Sequence, residues 1–290
     1  MLQQLINGIM LGSMYSLVAL GYTLVFGLLS LLNFAHGEVF MFGGFVGLFV
    51  LAALGLPLWL AFLGSLVIAG ALGLAVEILC FRRVKPQYHF APALSTVALG
   101  MVIVEITRRM WGTEPVALPP VVEAVTFPVG NVVISSVQLM ILGVAIVLMG
   151  LLDILVYRTK IGLGLRAVAE HRIVATLMGV NVSRMIVFAF FVSSALAGAA
   201  GLLLALRLGI ADPSVGLSFG LKAMAVMVIG GLGNLRGAMI AGIVAGVVEV
   251  MAQAYGSAAA GNLVVWALLI IVLLFRPGGL FGTRVQMERT

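Results

Sequence analysis

The feature that most constrains the fold is a series of long apolar segments spread over the whole chain. Runs such as LMILGVAIVLMGLLDILV at 139–156 contain a single charged residue. As a helix, a run of about 17 to 25 residues crosses a hydrocarbon core of ~30 Å. Of the 290 residues, 63% are hydrophobic and 9% are charged, which is far from the balance of a soluble domain. The sequence therefore predicts a polytopic membrane protein with one transmembrane domain over residues 1–290.

The apolar runs favour helices over strands. A backbone inside lipid must pair all its polar groups, which leaves helices and closed β-barrels. Barrel strands alternate apolar and polar residues, and these runs do not. We therefore predict an all-α bundle with eight to ten spans and nine as the best count, because the segment 219–232 is short and could be re-entrant. The predicted spans are 8–29, 34–54, 58–81, 92–110, 137–157, 185–207, 219–232, 237–256 and 262–277.

The basic residues predict the orientation. Twelve of the 16 Lys and Arg residues fall into four regions, and loops rich in them face the cytoplasm. The segments 112–136 and 208–218 carry only acidic charges, which fits the opposite side. The N-terminus is thus predicted outside, the C-terminus inside, and the net charge of +6 reflects orientation rather than nucleic-acid binding. The four basic regions are Arg82, Arg83 and Lys85; Arg158, Lys160, Arg166, Arg172 and Arg184; Arg236; and Arg276, Arg284 and Arg289.

The longest predicted cytoplasmic loop is RTKIGLGLRAVAEHRIVATLMGVNVSR at 158–184. Ala169, Ile173 and Leu177 recur at helical spacing, which predicts one short amphipathic helix. Gly179 is predicted to end it in a left-handed cap, and Ser183 to cap the next span. Such a helix lies at the lipid headgroups or docks on a soluble partner. The loop lacks the Trp and Phe anchors of interfacial helices, and this favours a protein groove.

Polar residues inside the apolar runs are candidates for function. Asn33, His36 and Glu38 cluster at the start of a span, where they either cap it or break a discontinuous helix beside a pathway. No second His or Cys follows His36 at helical spacing, and His89 and His171 lie in predicted loops. No metal site is therefore predicted. Glu77 and Glu105 each lie near arginines and are predicted to pair with them or to snorkel, whereas Glu249 has no such neighbour in sequence.

No motif for catalysis is present in the sequence. A phosphate-binding G-x-x-x-x-G-K-[ST] loop and the H-E-x-x-H and G-x-S-x-G motifs are all absent, so neither a catalytic residue nor a bound cofactor is predicted. GGLGNLRG at 230–237 is predicted to be a tight cytoplasmic turn. Three G-x-x-x-G pairs, Gly8/Gly12, Gly43/Gly47 and Gly242/Gly246, predict close helix packing. The breaks LLNFAHG and LGNLRG, each between two spans, suggest an inverted repeat.

Four stretches in this order resemble one family, the branched-chain amino-acid permeases of ABC importers (LivH type). They are NGIMLGSMYSLVALGYTLVFG at 7–27, NFAHGEVFMFGG at 33–44, the loop around 166–181, and GGLGNLRGAMIAG at 230–242. The resemblance covers essentially the whole chain. It implies a loop that docks on a cytoplasmic ATPase. The expected coupling residues are Arg166, Ala169, Glu170, Ile173, Ala175, Leu177, Met178, Gly179 and Asn181. The expected pathway residues are Asn33, His36, Glu38 and Asn234.

The resemblance also implies partners and a location. We expect a multi-pass protein of the bacterial inner membrane, in contact with lipid, that works with ABC ATPase subunits, a second and related permease chain, and a periplasmic or extracellular binding protein. ATP and Mg²⁺ would bind on the ATPase subunits. The expected solute is a branched-chain or other hydrophobic amino acid. There are two alternatives. One is a urea or short-amide permease of the same superfamily. The other is an ion-coupled secondary transporter, which would need unpaired intramembrane carboxylates such as Glu38 or Glu249.

Overall fold

A computed structural model describes residues 1–84, 90–118, 125–129 and 132–282. Lys85, His89, Glu123, Arg284 and Arg289, which entered the sequence analysis, lie outside these ranges. The helices are α1 (Leu2–Leu29), α2 (His36–Ala52), α3 (Leu58–Val76, continued by a π-helical turn Glu77–Arg82), α4 (Ala91–Trp111), α5 (Ser136–Arg158), α6 (Lys160–Glu170), α7 (Arg172–Leu177), α8 (Val182–Leu208), α9 (Val215–Gly230), α10 (Leu235–Tyr255) and α11 (Ala258–Phe275). Four short strands, β1 (Val116–Ala117), β2 (Thr126–Val129), β3 (Val132–Ser135) and β4 (Ile210–Ala211), form two antiparallel pairs, β1 with β4 and β2 with β3.

The predicted all-α polytopic architecture is confirmed. Within the described ranges, seven apolar helices are long enough to cross a membrane: α1, α3 with its π-helical end, α4, α5, α8, α10 and α11. Two further apolar helices, α2 and α9, are shorter, with 17 and 16 residues. A helix is found at each of the nine predicted segments. α1 is central and largely buried, whereas α4, α5 and α11 expose most of their surface.

Small residues let the central helices approach closely. Gly8 and Gly12 of α1 lie against Gly242 and Gly246 of α10, and a Cβ atom on any of these four would overlap atoms of the facing helix. Two of the predicted G-x-x-x-G pairs therefore face each other. Ser16 of α1 strengthens the contact by donating a hydrogen bond to the Met239 carbonyl of α10 at 2.7 Å.

The helix order and packing repeat in the two halves of the chain. α1 and α8 are each followed by a six-residue break, at 30–35 and 209–214, and then by a short helix, α2 or α9. α1 packs on α10 as α8 packs on α3, and α2 packs on α4 as α9 packs on α11. The predicted pairing of LLNFAHG with LGNLRG is therefore wrong, because LGNLRG precedes a long helix. The break that matches LLNFAHG is the one before α9.

The two ends of the bundle are distinct in their connections. At one end Arg82 donates to Ser183, and Asn234 donates to the Phe281 carbonyl at 2.8 Å. At the other end β1 pairs with β4, and Gln3 accepts from the Val133 amide at 2.9 Å. The basic regions that the structure describes gather at the first end, together with the loop 158–184.

The loop 158–184 contains two helices where the sequence predicted one. The chain turns to an extended conformation at His171 (φ −155°, ψ 102°), so α6 and α7 are separate. Leu165, Val168 and Ala175 form the buried face, whereas the predicted apolar stripe is exposed. Gly179 has φ +82°, as predicted. The cap of α8 is Asn181, which accepts from the Arg184 amide at 3.0 Å, and not Ser183.

The ion pairing of the glutamates in the apolar runs was predicted correctly for two of the three. Glu77 pairs with Arg82 at 3.2 Å, and Glu105 with Arg109 at 3.1 Å. Glu249, for which no neighbour was found in the sequence, is buried and paired with Lys222 at 2.7 Å. The pairing was missed because Lys222 lies on α9 and Glu249 on α10, so no spacing within one helix connects them.

Candidate translocation cavity and coupling surface

A large cavity lies between α2, α4 and the start of α9. Its volume is about 620 Å³, within the range of about 300–1,000 Å³ that is usual for small-molecule pockets. The wall is mainly apolar. The lining residues are Phe34, Glu38, Val97, Gly100, Met101, Val104, Glu105, Arg108, Pro213, Ser214 and Leu217.

Two short helices meet at this cavity. α2 begins at His36 after the first break, and α9 begins at Val215 after the second. Gly37 of α2 contacts Gly216 and Gly220 of α9, where a Cβ atom would overlap the facing backbone. The breaks thus bring two helix N-termini together, and each carries a partial positive charge.

Glu38 is the buried acidic group of the cavity, whereas Glu105, which also lines it, is exposed and paired with Arg109. Glu38 lies in the first turn of α2, only 7% of its surface is exposed, and its Oε2 has no hydrogen-bond partner among the described residues. Two glycines make room for its side chain. A Cβ atom on Gly100 would lie 3.2 Å from Glu38 Cγ, and one on Gly216 would overlap Oε2.

Arg108 is the basic group of the cavity. Its exposed guanidinium forms no salt bridge or hydrogen bond with a described residue, because Glu105 pairs with the neighbouring Arg109 instead. Arg108 follows Gly100 by eight residues on α4, or about 12 Å along the helix axis. The cavity therefore carries an acid at one end and a base towards the other.

The other predicted pathway residues lie outside this cavity. Asn33 and His36 are buried on the side of α1, where the rings of His36 and Tyr22 meet edge to face at 4.5 Å. Asn234 lies at the basic end of the bundle, directly before α10. It caps that helix by accepting from the Gly237 amide at 2.9 Å. Of the four residues, only Glu38 lines the cavity, and a pathway role for all four stays a prediction.

The predicted coupling residues form a surface at the basic end, and we call residues 166–181 the coupling surface. Ile173, Leu177 and Met178 are 73%, 80% and 79% exposed, which is unusual for apolar side chains in a short helix. Ala169, Glu170, Gly179 and Asn181 are exposed as well. Ala175 is the exception, since it is buried beneath α7.

The coupling surface is attached to the membrane helices. Arg172 donates a hydrogen bond to the carbonyl of Leu28 at the end of α1. Leu165 and Val168 of α6 are buried in the main core, and the guanidinium of Arg166 lies over the ring of Tyr157 at 5.7 Å. The coupling surface is therefore in direct contact with the ends of α1 and α5.

Sequence reasoning missed Arg108 and the start of α9 as parts of the cavity. Arg108 and Arg109 are both within about one turn of Glu105 in the sequence, and only the structure shows that Arg109 forms the pair. The acidic charge of the segment 208–218 predicted a loop outside the membrane, whereas in the structure Gly216 lies beside Glu38. Among the described residues, no group of three His, Cys, Asp or Glu side chains is placed to hold a metal ion.

A bundle of apolar helices with two broken segments, an open cavity between helices and an exposed surface at one end is typical of a membrane permease. Residues 4–273 match the family described as branched-chain amino acid transport system / permease component. The chain belongs to this family. It is a multi-pass membrane protein and one component of a transport system.

Curated relatives cover nearly the whole chain. LivH of Escherichia coli (strain K12), a high-affinity branched-chain amino acid transport system permease protein, is 36% identical over 99% of this chain and 97% of its own length. BraD of Pseudomonas aeruginosa, described in the same words, is 34% identical with the same coverage. LivM of Salmonella typhimurium, another such permease protein, is 28% identical over 45% of this chain and 31% of its own. No solved structure matches the chain.

Proposed function

We propose that this protein is a membrane-spanning subunit of an ATP-driven importer of branched-chain amino acids. The observation that carries the proposal is the family match over residues 4–273, together with relatives that match from end to end and are named for this substrate. The family's substrate also suits the cavity, whose wall is mainly apolar. The urea and ion-coupled alternatives gain no support, and Glu249, one of the two free carboxylates that ion coupling required, is paired.

We further propose that residues 158–184 form a coupling loop that docks on the ATPase subunits. Exposed Ile173, Leu177 and Met178 form an apolar patch, and an apolar helix face is a usual partner for a protein groove. The hydrogen bond from Arg172 to the end of α1 would carry the movement of the ATPase into the bundle.

The proposed setting is the bacterial inner membrane, with the C-terminus in the cytoplasm. The described basic regions and the coupling loop share one end of the bundle, which supports this orientation. The partners would be two ATPase subunits, a second permease chain and an external binding protein. A relative named LivM matches this chain over part of its length, which supports a second permease related to the first. ATP and Mg²⁺ would bind on the ATPase subunits and not on this chain.

The docking proposal is tested by placing a charge on the apolar patch. Leu177→Asp should weaken co-purification of the ATPase subunits, because a buried hot-spot residue at an interface contributes about 2 kcal/mol or more, which is ~30-fold in affinity. Glu170→Arg should weaken it as well. The matched control is Leu208→Asp, since Leu208 is 52% exposed at the opposite end.

The measurements are ATPase co-purification and ATP-dependent leucine uptake in vesicles. Both Leu177→Asp and Glu170→Arg should insert normally and lose both signals, while the control keeps them. Normal docking and uptake in both loop variants would refute the coupling role. Uptake by the isolated chain, driven by an ion gradient alone, would refute the importer assignment.

A further inference from the structure

Glu38 is a buried carboxylate without a partner. It is more than nine-tenths buried and its Oε2 accepts no hydrogen bond from a described residue. Removing a carboxylate from water is costly unless a cation or hydrogen-bond donors compensate it. Polar groups of this kind inside a membrane protein mark the path of a solute. The side chain faces a cavity of about 620 Å³, so a ligand there has access to it.

The same cavity offers a positive region that is suited to a carboxylate. Arg108 lines it with an unpaired guanidinium, and a guanidinium binds a carboxylate through two parallel hydrogen bonds. α9 begins at Val215, and Ser214 just before it lines the cavity, so the positive end of the helix dipole adds to this region.

Apolar side chains form much of the remaining wall. They include Val97 and Met101 of α4 and Leu217 of α9. An α-amino acid carries an ammonium group, a carboxylate and a side chain on one carbon atom. A ligand with both charges and a branched apolar side chain uses all three features of the cavity, whereas urea uses neither charge.

We propose that this cavity binds the zwitterion of the transported amino acid. The α-ammonium group donates to Glu38, and the α-carboxylate accepts from Arg108 beside the start of α9. The branched side chain packs against Val97, Met101 and Leu217. This assignment rests on the proposed function and adds the residues that recognise the solute inside the membrane. A passage needs only weak binding so that the solute can leave.

The first test measures leucine uptake and ATP hydrolysis in vesicles that contain the complete importer, with its binding protein added. Glu38→Gln and Arg108→Gln should each lower uptake about tenfold or more, because each variant removes a charge that the opposite charge of the solute would contact. Glu38→Asp should retain part of the uptake because it keeps the charge. Glu114→Gln is the matched control, since Glu114 is exposed and does not line the cavity.

The number of leucine molecules moved per ATP separates recognition from folding. Glu38→Gln and Arg108→Gln should keep ATP hydrolysis and subunit assembly and move less leucine per ATP. Uptake equal to the wild type in both variants would overturn the assignment. Loss of assembly with either variant would also overturn it, because Glu38 or Arg108 would then serve an interface. Absence of ATP-dependent uptake in the wild type would refute the proposed function itself, and the assignment with it.

The second test reads binding directly and needs no binding protein. Met101→Cys places a thiol in the cavity wall, on a Cys80→Ser background, in the complete complex. Millimolar leucine should slow maleimide labelling more than 4-methylpentanoate, which lacks the ammonium group, or 3-methylbutylamine, which lacks the carboxylate. Adding Glu38→Gln should abolish the advantage of leucine over 4-methylpentanoate. Equal protection by all three compounds in the protein that retains Glu38 would overturn the proposal.

Discussion

Replacing Lys222 by methionine removes the only cation that contacts the buried Glu249 in the described part of the chain. The Lys222 ammonium lies 2.7 Å from Glu249 Oε1 and also donates to Asn262 at 2.7 Å. The side chains are 13% and 4% exposed. Methionine keeps the length of the aliphatic chain, so the substitution removes charge and hydrogen bonds with little change in packing.

The expected cost follows from the contacts that remain. Removing one partner of a buried pair costs about 3–5 kcal/mol because it leaves an uncompensated charge. Glu249 keeps hydrogen bonds from the Tyr15 hydroxyl at 2.8 Å and from Gln253 at 3.2 Å, and the charge of Arg207 lies near it. We therefore expect about 3 kcal/mol, at the lower end. Lys222→Met combined with Glu249→Gln removes the charge as well, and it should lie within about 1 kcal/mol of the wild type.

Thermal unfolding of the purified protein in detergent measures these differences, at about 2–4 °C per kcal/mol for a chain of this size class. The control is Arg236→Met. Its pair with Asp153 at 2.8 Å is between side chains that are 63% and 28% exposed, and an exposed pair contributes only about 0.2–1 kcal/mol. If Lys222→Met shifts the transition no more than Arg236→Met, or if the double variant is as unstable as the single one, the reasoning is refuted.

Two further predictions concern packing and coupling. Gly246→Leu should destabilise the protein by about 3 kcal/mol, because the backbone of Gly12 cannot make room for a side chain. The control is Gly143→Leu, which should be neutral in the same unfolding assay because no neighbouring atom lies within 4 Å of a Cβ at that position. Equal effects of the two substitutions would contradict the close packing. Arg172→Gln removes the charged hydrogen bond to Leu28; it should keep ATPase co-purification and lower leucine uptake per ATP, whereas an unchanged ratio would exclude a role for this contact in coupling.

The helical spans could be predicted from the sequence because lipid imposes a simple rule. Each apolar run must pair its own backbone groups, so its length and polarity define a helix. The predicted span 137–157 corresponds to α5 (Ser136–Arg158), and 58–81 to α3 with its π-helical end. The G-x-x-x-G motifs predicted close helix packing, but such a motif does not identify the partner helix. The contact of Gly8 and Gly12 with Gly242 and Gly246 could therefore not be predicted from them.

The interior contacts could not be predicted, because they join distant parts of the chain. Lys222 and Glu249 lie on different helices, and Glu38 meets Gly100 and Gly216 only after three helices have packed. The break at His171 was missed for a related reason. No Gly or Pro marks it, and burial of Leu165, Val168 and Ala175 decides which face turns inward. Periodicity alone selected the opposite face, which remains exposed.

α1 connects the coupling surface to the cavity as one continuous helix. Arg172 contacts its end at Leu28. Two turns earlier, Tyr22 packs on His36 at the start of α2, and its hydroxyl lies beside Gly220 of α9. Both short helices that border the cavity therefore rest on the same stretch of α1. A packed core shifts between discrete arrangements rather than deforming smoothly. Under the proposed coupling, a pull on Arg172 would move α1 against α2 and α9 together. This would change the space between Glu38 and the start of α9 without any need for the ATPase to reach the cavity.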